Sequence, residues 1–193
     1  MAKPNVINKQ TLIQSAKQCI VENGIESFTL RSVAEKAEVT QGTIYYHFRT
    51  KEQLLVEIVQ DICESAWREL SNSDEMIIKE ALHSAKSRCS HESFFHKLFF
   101  SLVAAGFHNE KIREQLGGIL ALENESLYKK IRISWTQSPI NGVDHETWAI
   151  LFNAMIDGIA LQTVLMKGFP VDKVYEQIEK LIAGLNTLQS EDR

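Results

Sequence analysis

Apolar residues recur along most of this chain at the three-and-four spacing of helices packed on one side. Leu12, Ile13, Ala16, Cys19 and Ile20 form one such stripe and predict a helix over residues 8–23, with Gly24 at its left-handed C-terminal position. Leu30, Val33, Ala34 and Ala37 make a second, shorter face behind Thr29. Leu54, Leu55, Ile58, Val59, Ile62, Ala66 and Leu70 place a long helix over 51–70, and Ser71-Asn72-Ser73-Asp74 is the clearest break after it. Further helices follow over 75–87, from a Ser90 cap to about Gly106, over 110–135, over 144–167 and over 171–188. Gly117-Gly118 marks a candidate kink inside the 110–135 helix. A second polar loop, 136–142, precedes the last two helices. The expected fold class is all-α, with an N-terminal three-helix domain over 1–55 and a C-terminal helical domain over 56–193.

The stretch 28–55 organises the N-terminal part. Thr29 is a candidate N-cap, its hydroxyl available to the free N–H groups of the first turn. Thr40 caps a second, very short helix over 41–47, and Thr50-Lys51-Glu52-Gln53 has the capping-box pattern. Two short helices joined by a tight turn and followed by a long one is the layout of a helix-turn-helix, whose second helix enters the DNA major groove. The candidate DNA contacts are Thr29, Arg31, Thr40, Gln41, Gly42, Thr43, Tyr45, Tyr46, His47 and Lys51. Hydroxyls and a lysine at a helix start suit phosphates. Gln41 suits an adenine edge, and Gly42 lets the helix approach closely. The competing reading is a plain surface helix pair in which Ile44 and Phe48 pack inward and the tyrosines merely cover them.

The segment VAEKAEVTQGTIYYHFRTKEQLL resembles the DNA-binding signature of the tetracycline-repressor (TetR) family of bacterial regulators. The resemblance rests on Val33-Ala34, Ala37, Val39, Gly42-Thr43-Ile44-Tyr45, His47-Phe48, Lys51-Glu52 and Leu54-Leu55, and covers residues 8–62. Glu38 stands where the family usually has glycine. The resemblance implies a homodimeric repressor with a variable C-terminal domain that binds a small ligand.

Composition changes this picture little. The net charge of −4 argues superficially against nucleic acid, but residues 1–60 hold seven Lys/Arg against six Asp/Glu. That balance suits a few geometrically placed phosphate contacts rather than a non-specific DNA coat. Cys19, Cys63 and Cys89 lie far apart without a C-x-x-C pair and read as buried small hydrophobes in a reduced compartment. No apolar run is read as long enough to span a membrane, and the N-terminus has no apolar signal core. The expected location is the cytoplasm.

In the C-terminal part, Trp67, Phe95, Phe99, Glu123, Trp135, Trp148, Phe152 and Met155 are the candidate effector lining: apolar, mostly aromatic side chains drawn from several helices, with Glu123 and its neighbour Asn124 as the polar handle. Simple core filling is the alternative for each aromatic, and an exposed helix face for Glu123. The 144–167 helix is apolar nearly all round, so one face is expected to meet a second copy of the chain. Ile156, Leu161, Val164, Leu165, Ile178, Leu181 and Leu185 are the candidate dimer contacts. His83, His91, His96, His108 and His145 form no i, i+4 pair, and no nucleotide-binding or hydrolase motif occurs. No metal, no cofactor and no enzymatic activity are expected. The expected partners are an operator DNA duplex, a small-molecule effector and a second copy. The rival from another class is a helical ligand carrier or small enzyme with a merely structural helix-turn-helix.

Overall fold

The computed structural model describes residues 8–25, 27–70 and 77–191, apart from the side chains of 67, 69–70, 77–80 and 189–191. All elements among the described residues are α-helices, so the chain is all-α. In order they are α1 (Lys9–Asn23), α2 (Leu30–Lys36), α3 (Gln41–Phe48), α4 (Lys51–Leu70), α5 (Ile77–Arg88), α6 (Phe94–Gly106), α7 (Glu110–Ser134), α8 (His145–Leu165) and α9 (Val171–Glu191). They divide into two compact units. One comprises the chain up to Ile62 with Lys97–Leu116; the other comprises Cys63–His96 with the chain from Gly117 onward. All three divisions fall inside continuous helices, in α4 after Ile62, in α6 between His96 and Lys97 and in α7 between Leu116 and Gly117.

In the first unit α1 packs on α2 and α2 on α3. Leu12 and Ala16 of α1, Val33 of α2, Ile44 and Phe48 of α3 and Leu54 and Ile58 of α4 are buried to the last few per cent. Caps fix where the short helices begin. The Asn8 side chain accepts from the Thr11 amide, and the Thr40 hydroxyl from the Thr43 amide. Thr29 and Ser32 close a capping box: the Ser32 amide donates to Thr29 Oγ1 at 3.0 Å and the Thr29 amide to Ser32 Oγ at 3.1 Å. At α4 only half of the expected box forms. The Gln53 amide donates to Thr50 Oγ1 at 3.0 Å, while the Gln53 side chain turns to Glu57 Oε1 at 3.4 Å.

The turn between α2 and α3 explains the sequence position that departs from the family pattern. The Val39 amide reaches back to Ala34 O at 3.0 Å and the Glu38 amide to Glu35 O at 3.3 Å. This is the Schellman ending of α2, which needs a left-handed residue between those two bonds. Glu38 supplies it with φ of 54°, at a steric cost of about 1–2 kcal/mol that glycine would escape. The turn geometry is therefore kept without the glycine. Arg49, with φ of 63°, makes a second positive-φ corner between α3 and α4, where the Thr50 amide donates to Phe48 O at 2.6 Å.

In the second unit α5 packs on α9, and a polar loop joins α7 to α8. The Asp144 carboxylate caps α8 by accepting from the Thr147 amide at 2.7 Å. Tyr175 of α9 is buried and hydrogen-bonds Cys89 Sγ beside the end of α5 at 3.2 Å. Several expectations need correction. Ser93, not Ser90, stands at the start of α6, where its hydroxyl accepts from the His96 amide at 3.4 Å. α7 runs unbroken through Gly117-Gly118. The 71–74 break lies outside the described residues. By length and mean hydropathy α8, at 21 residues and 1.5, does reach the range of a membrane-crossing helix. Its apolar residues are shared between two sides: Ala149, Phe152, Ile159 and Ala160 are buried in the unit, whereas Ile150, Leu151, Leu161 and Leu165 are exposed.

Replacing Glu38 by glycine removes the left-handed strain at the expense of a more flexible unfolded chain. Urea unfolding of Glu38→Gly is expected to show a gain of about 0.5–1 kcal/mol, and a loss of stability would contradict the Schellman assignment.

Candidate nucleic-acid interface

α3 is eight residues long and displays two unlike sides. Ile44 and Phe48 are fully buried, which ties the helix to its own unit. Gln41, Gly42, Tyr45 and Tyr46 are exposed, Tyr46 at 74% and Tyr45 at 50%. The tyrosines therefore do not lie over Ile44 and Phe48. They stand in solvent, a costly arrangement for large rings unless a partner covers them. His47 packs edge-on against Tyr46, with ring centroids 5.2 Å apart. α3 carries no acidic residue to repel phosphate.

The other candidate contacts surround this face along the chain. Thr40 and Thr43 share a hydroxyl–hydroxyl bond of 3.1 Å, so one of the two is the donor and the other keeps its proton for an outside acceptor. Thr29 accepts within its capping box and keeps its hydroxyl proton free to donate. Arg31 is exposed and paired through Nε to Glu35 Oε1 at 2.9 Å, which leaves its terminal N–H groups directed elsewhere. The Lys51 ammonium stands 5.6 Å from the centre of the Phe28 ring, a cation–π contact that holds it at the start of α4. At Gly42 an added Cβ would meet nothing closer than Thr40 Oγ1 at 3.5 Å, an ordinary contact. Bare backbone at this position is thus not required by the fold.

The candidate effector residues are brought together only in part. Trp135, Trp148 and Phe152 form one aromatic cluster, with centroid separations of 5.4, 5.7 and 6.0 Å. Both indole N–H groups have partners: Trp135 Nε1 donates to Asn186 Oδ1 at 2.6 Å and Trp148 Nε1 to Ser138 Oγ at 3.0 Å. Phe95 packs edge-on against His96 in the same unit, and Met155 is half-buried. Phe99 belongs to the other unit and packs against Phe100. The Trp67 side chain lies outside the described residues.

Glu123 is not on an exposed face. It lies in a half-buried polar cluster with Cys63 of α4, Arg88 of α5 and Asn153 and Asp157 of α8. Burial raises the Glu123 carboxyl above its ordinary range, against the hydrogen bonds from Cys63 and Asn153 and the Arg88 charge. Burial, with the Glu123 charge second, pushes Asp157 up to about 7. Asn153 Nδ2 donates to Asn124 Oδ1 at 2.9 Å and fixes α8 against α7 beside this cluster. From the sequence, Asp157-Gly158 reads as explained by capping and helix packing, although Asp157 is the one charged residue between Glu146 and Lys167 in an otherwise apolar helix. Nearby, His96 is buried and held to about 4 by desolvation; since a carbonyl can only accept, its Nδ1 donates to Arg88 O at 3.1 Å. Among the described residues, no three His, Cys, Asp or Glu side chains are grouped to hold a metal ion.

Of the candidate dimer residues, Leu161, Leu165 and Leu181 are exposed, Leu165 at 71%. Ile156 and Val164 are half-buried. Ile178 and Leu185 are buried within their own unit, because the apolar stripe of α9 is split between its two sides.

A capped two-helix turn with a polar, aromatic second helix exposed in front of α1 and α4 defines a helix-turn-helix DNA-binding domain. Residues 12–58 match the family of bacterial regulatory proteins of the tetR type. The transcriptional regulator QacR of Staphylococcus aureus is 34% identical over 71 residues, 37% of each chain. The regulator UidR of Escherichia coli is 26% identical over 108 residues, 54% of this chain and 55% of UidR. The chain thus spans about a third to a half of the length of these curated relatives. Among solved structures, the multidrug binding protein EbrR complexed with proflavin shares the fold at TM-score 0.60 and 20% identity, covering 89% of this chain and 98% of EbrR. A protein of Saccharomonospora viridis in complex with choline does so at TM-score 0.66 and 19% identity, covering 90% and 94%.

The Asp157 carboxyl binds its proton more tightly in the folded state than in the unfolded chain, where its ordinary value is 3.8. The stabilisation is therefore complete in acid and is lost as pH rises through about 7. Urea midpoints of the wild type are expected to fall between pH 5 and 8 by more than those of Asp157→Asn; identical profiles would remove Asp157 from the half-buried cluster.

Proposed function

We propose that this protein is a homodimeric transcriptional repressor that binds a palindromic operator and is released by a small apolar or amphipathic effector. The observation that carries the reading is the exposed, acid-free face of α3 on a tetR-family helix-turn-helix. In this reading residues 1–55 read DNA, with Gln41 and Gly42 against base edges and Thr29, Arg31, Thr40, Thr43, Tyr45, Tyr46, His47 and Lys51 on phosphates and sugars. Residues 56–193 dimerise and hold the effector. Leu161, Leu165 and Leu181 supply the apolar contact with the second copy, which covers surface that α8 and α9 otherwise leave in water. The protein works in the cytoplasm, where operator DNA is found, and it is not an enzyme.

Two recognition helices in such a dimer engage successive major grooves about 34 Å apart. The effector shifts the protein away from that spacing only by binding another arrangement better. The half-buried cluster of Glu123, Asp157, Asn153 and Arg88 suits a molecule with a cationic or hydrogen-bond-donating group on an apolar body. The choline and proflavin complexes of proteins with this fold support a small organic effector.

The test is selection of binding sites from a random duplex library at physiological salt, with sequencing of the enriched pool. A two-fold palindrome is expected. On that duplex, Tyr46→Ala combined with Lys51→Ala should raise Kd about tenfold or more, at about 1 kcal/mol per lost contact. Gly42→Glu should abolish binding with an unchanged circular dichroism spectrum, since the fold tolerates a side chain there. A folded dimer that enriches nothing, or a double variant that binds as tightly as the wild type, would overturn the reading in favour of a ligand carrier.

A further inference from the structure

One carboxylate in the first unit has more partners than packing alone calls for. Asp61 of α4 is only 8% exposed. Its Oδ1 accepts from Gln10 Nε2 at 2.6 Å, and its Oδ2 accepts from Gln14 Nε2 at 3.3 Å and from the Lys17 ammonium. One turn earlier on α4, Glu57 Oε1 pairs with Lys9 Nζ at 2.6 Å. All of these groups lie in one compact unit.

The three donors occupy positions i, i+4 and i+7 of α1, one face of the helix. Gln10 and Lys17 start about 10 Å apart along the axis, yet both reach the same carboxylate. An axial shift of α1 in either direction therefore stretches one of them. The apolar stripe Leu12, Ile13, Ala16 and Ile20 sets no such register, because hydrophobic contact is non-directional. α2 packs on α1 and α3 packs on α2, so the register of α1 on α4 sets where α3 stands. α4 in turn continues beyond Ile62 into the second unit.

We propose that Asp61 is a positioning residue for DNA binding: tethered from both sides by Gln10, Gln14 and Lys17, it fixes α1, and with it the recognition helix, in register on α4. The proposal rests on the DNA-binding reading above. Buried ion pairs are poor stabilisers relative to well-packed apolar residues, and their best-attested use is to fix register. Position and stability can therefore be separated by experiment.

The experiment uses the full chain and the duplex that the wild type selects; if the wild type selects none, the DNA reading fails first and separately. Asp61→Asn and the double variant Lys17→Met/Asp61→Leu are compared by melting temperature, by Kd, and by the ratio of Kd values for the duplex with and without one base pair inserted between half-sites. The double variant leaves no unpaired buried charge and carries the test even if Asp61→Asn does not fold. The expected result is a double variant that melts near the wild type but binds more than tenfold more weakly, with the spacing ratio fallen toward one. Wild-type Kd and spacing ratio in the double variant would overturn the proposal and leave Asp61 a purely structural residue. So would wild-type binding by a folded Asp61→Asn.

Discussion

A helix of eight residues does not hold itself together in water; the nucleation cost is too large for so few hydrogen bonds. α3 exists because both of its ends and one of its sides are fixed from outside. Thr40 caps the start, the positive-φ corner at Arg49 ends it, and Ile44 and Phe48 bury the inner side completely. Those same constraints free the outer side from any structural duty. Gln41, Tyr45 and Tyr46 can then be chosen for what they touch outside the molecule. The strained turn at Glu38 belongs to the same device, since the Schellman ending of α2 sets the direction in which the chain enters α3.

The second unit balances opposite demands. Its helices bury large aromatic surface, and the Trp135–Trp148–Phe152 cluster closes the α7–α8 hairpin with every indole N–H satisfied. Against that apolar background, Glu123 and Asp157 are held with one nearby guanidinium, so burial drives both toward the protonated form. Carboxyls whose protons are held more tightly by burial occur at functional positions as well as in structural networks. Leucines of α8 and α9 are left exposed to water as well.

The two units meet their constraints in different ways. In the first, directed polar contacts such as the Thr29–Ser32 box and the Asp61 tether supplement a small core and give it a single register. In the second, longer helices carry enough apolar surface to fold by burial, and polar groups are concentrated at one cluster.

The sequence by itself determined the helices and the DNA-binding domain. Both are local: the period of apolar residues and the capping side chains act within a turn or two, so α4 was legible to the residue and α3 to within one. It also placed Ile44 and Phe48 inward, but whether Tyr45 and Tyr46 cover them or stand in solvent was decided by the packed structure. Only the tertiary structure decided how long-range partners combine. Glu123 reads as surface on α7 until α4, α5 and α8 bring Cys63, Arg88 and Asp157 to it. Phe99 separates from Phe95 and the other aromatics because the chain divides within α6, between His96 and Lys97. Ile178 and Leu181 look alike in sequence, yet three residues of helix turn one into the core and the other into solvent. An apolar stripe shows that a side is buried, and only the packed neighbours determine by what.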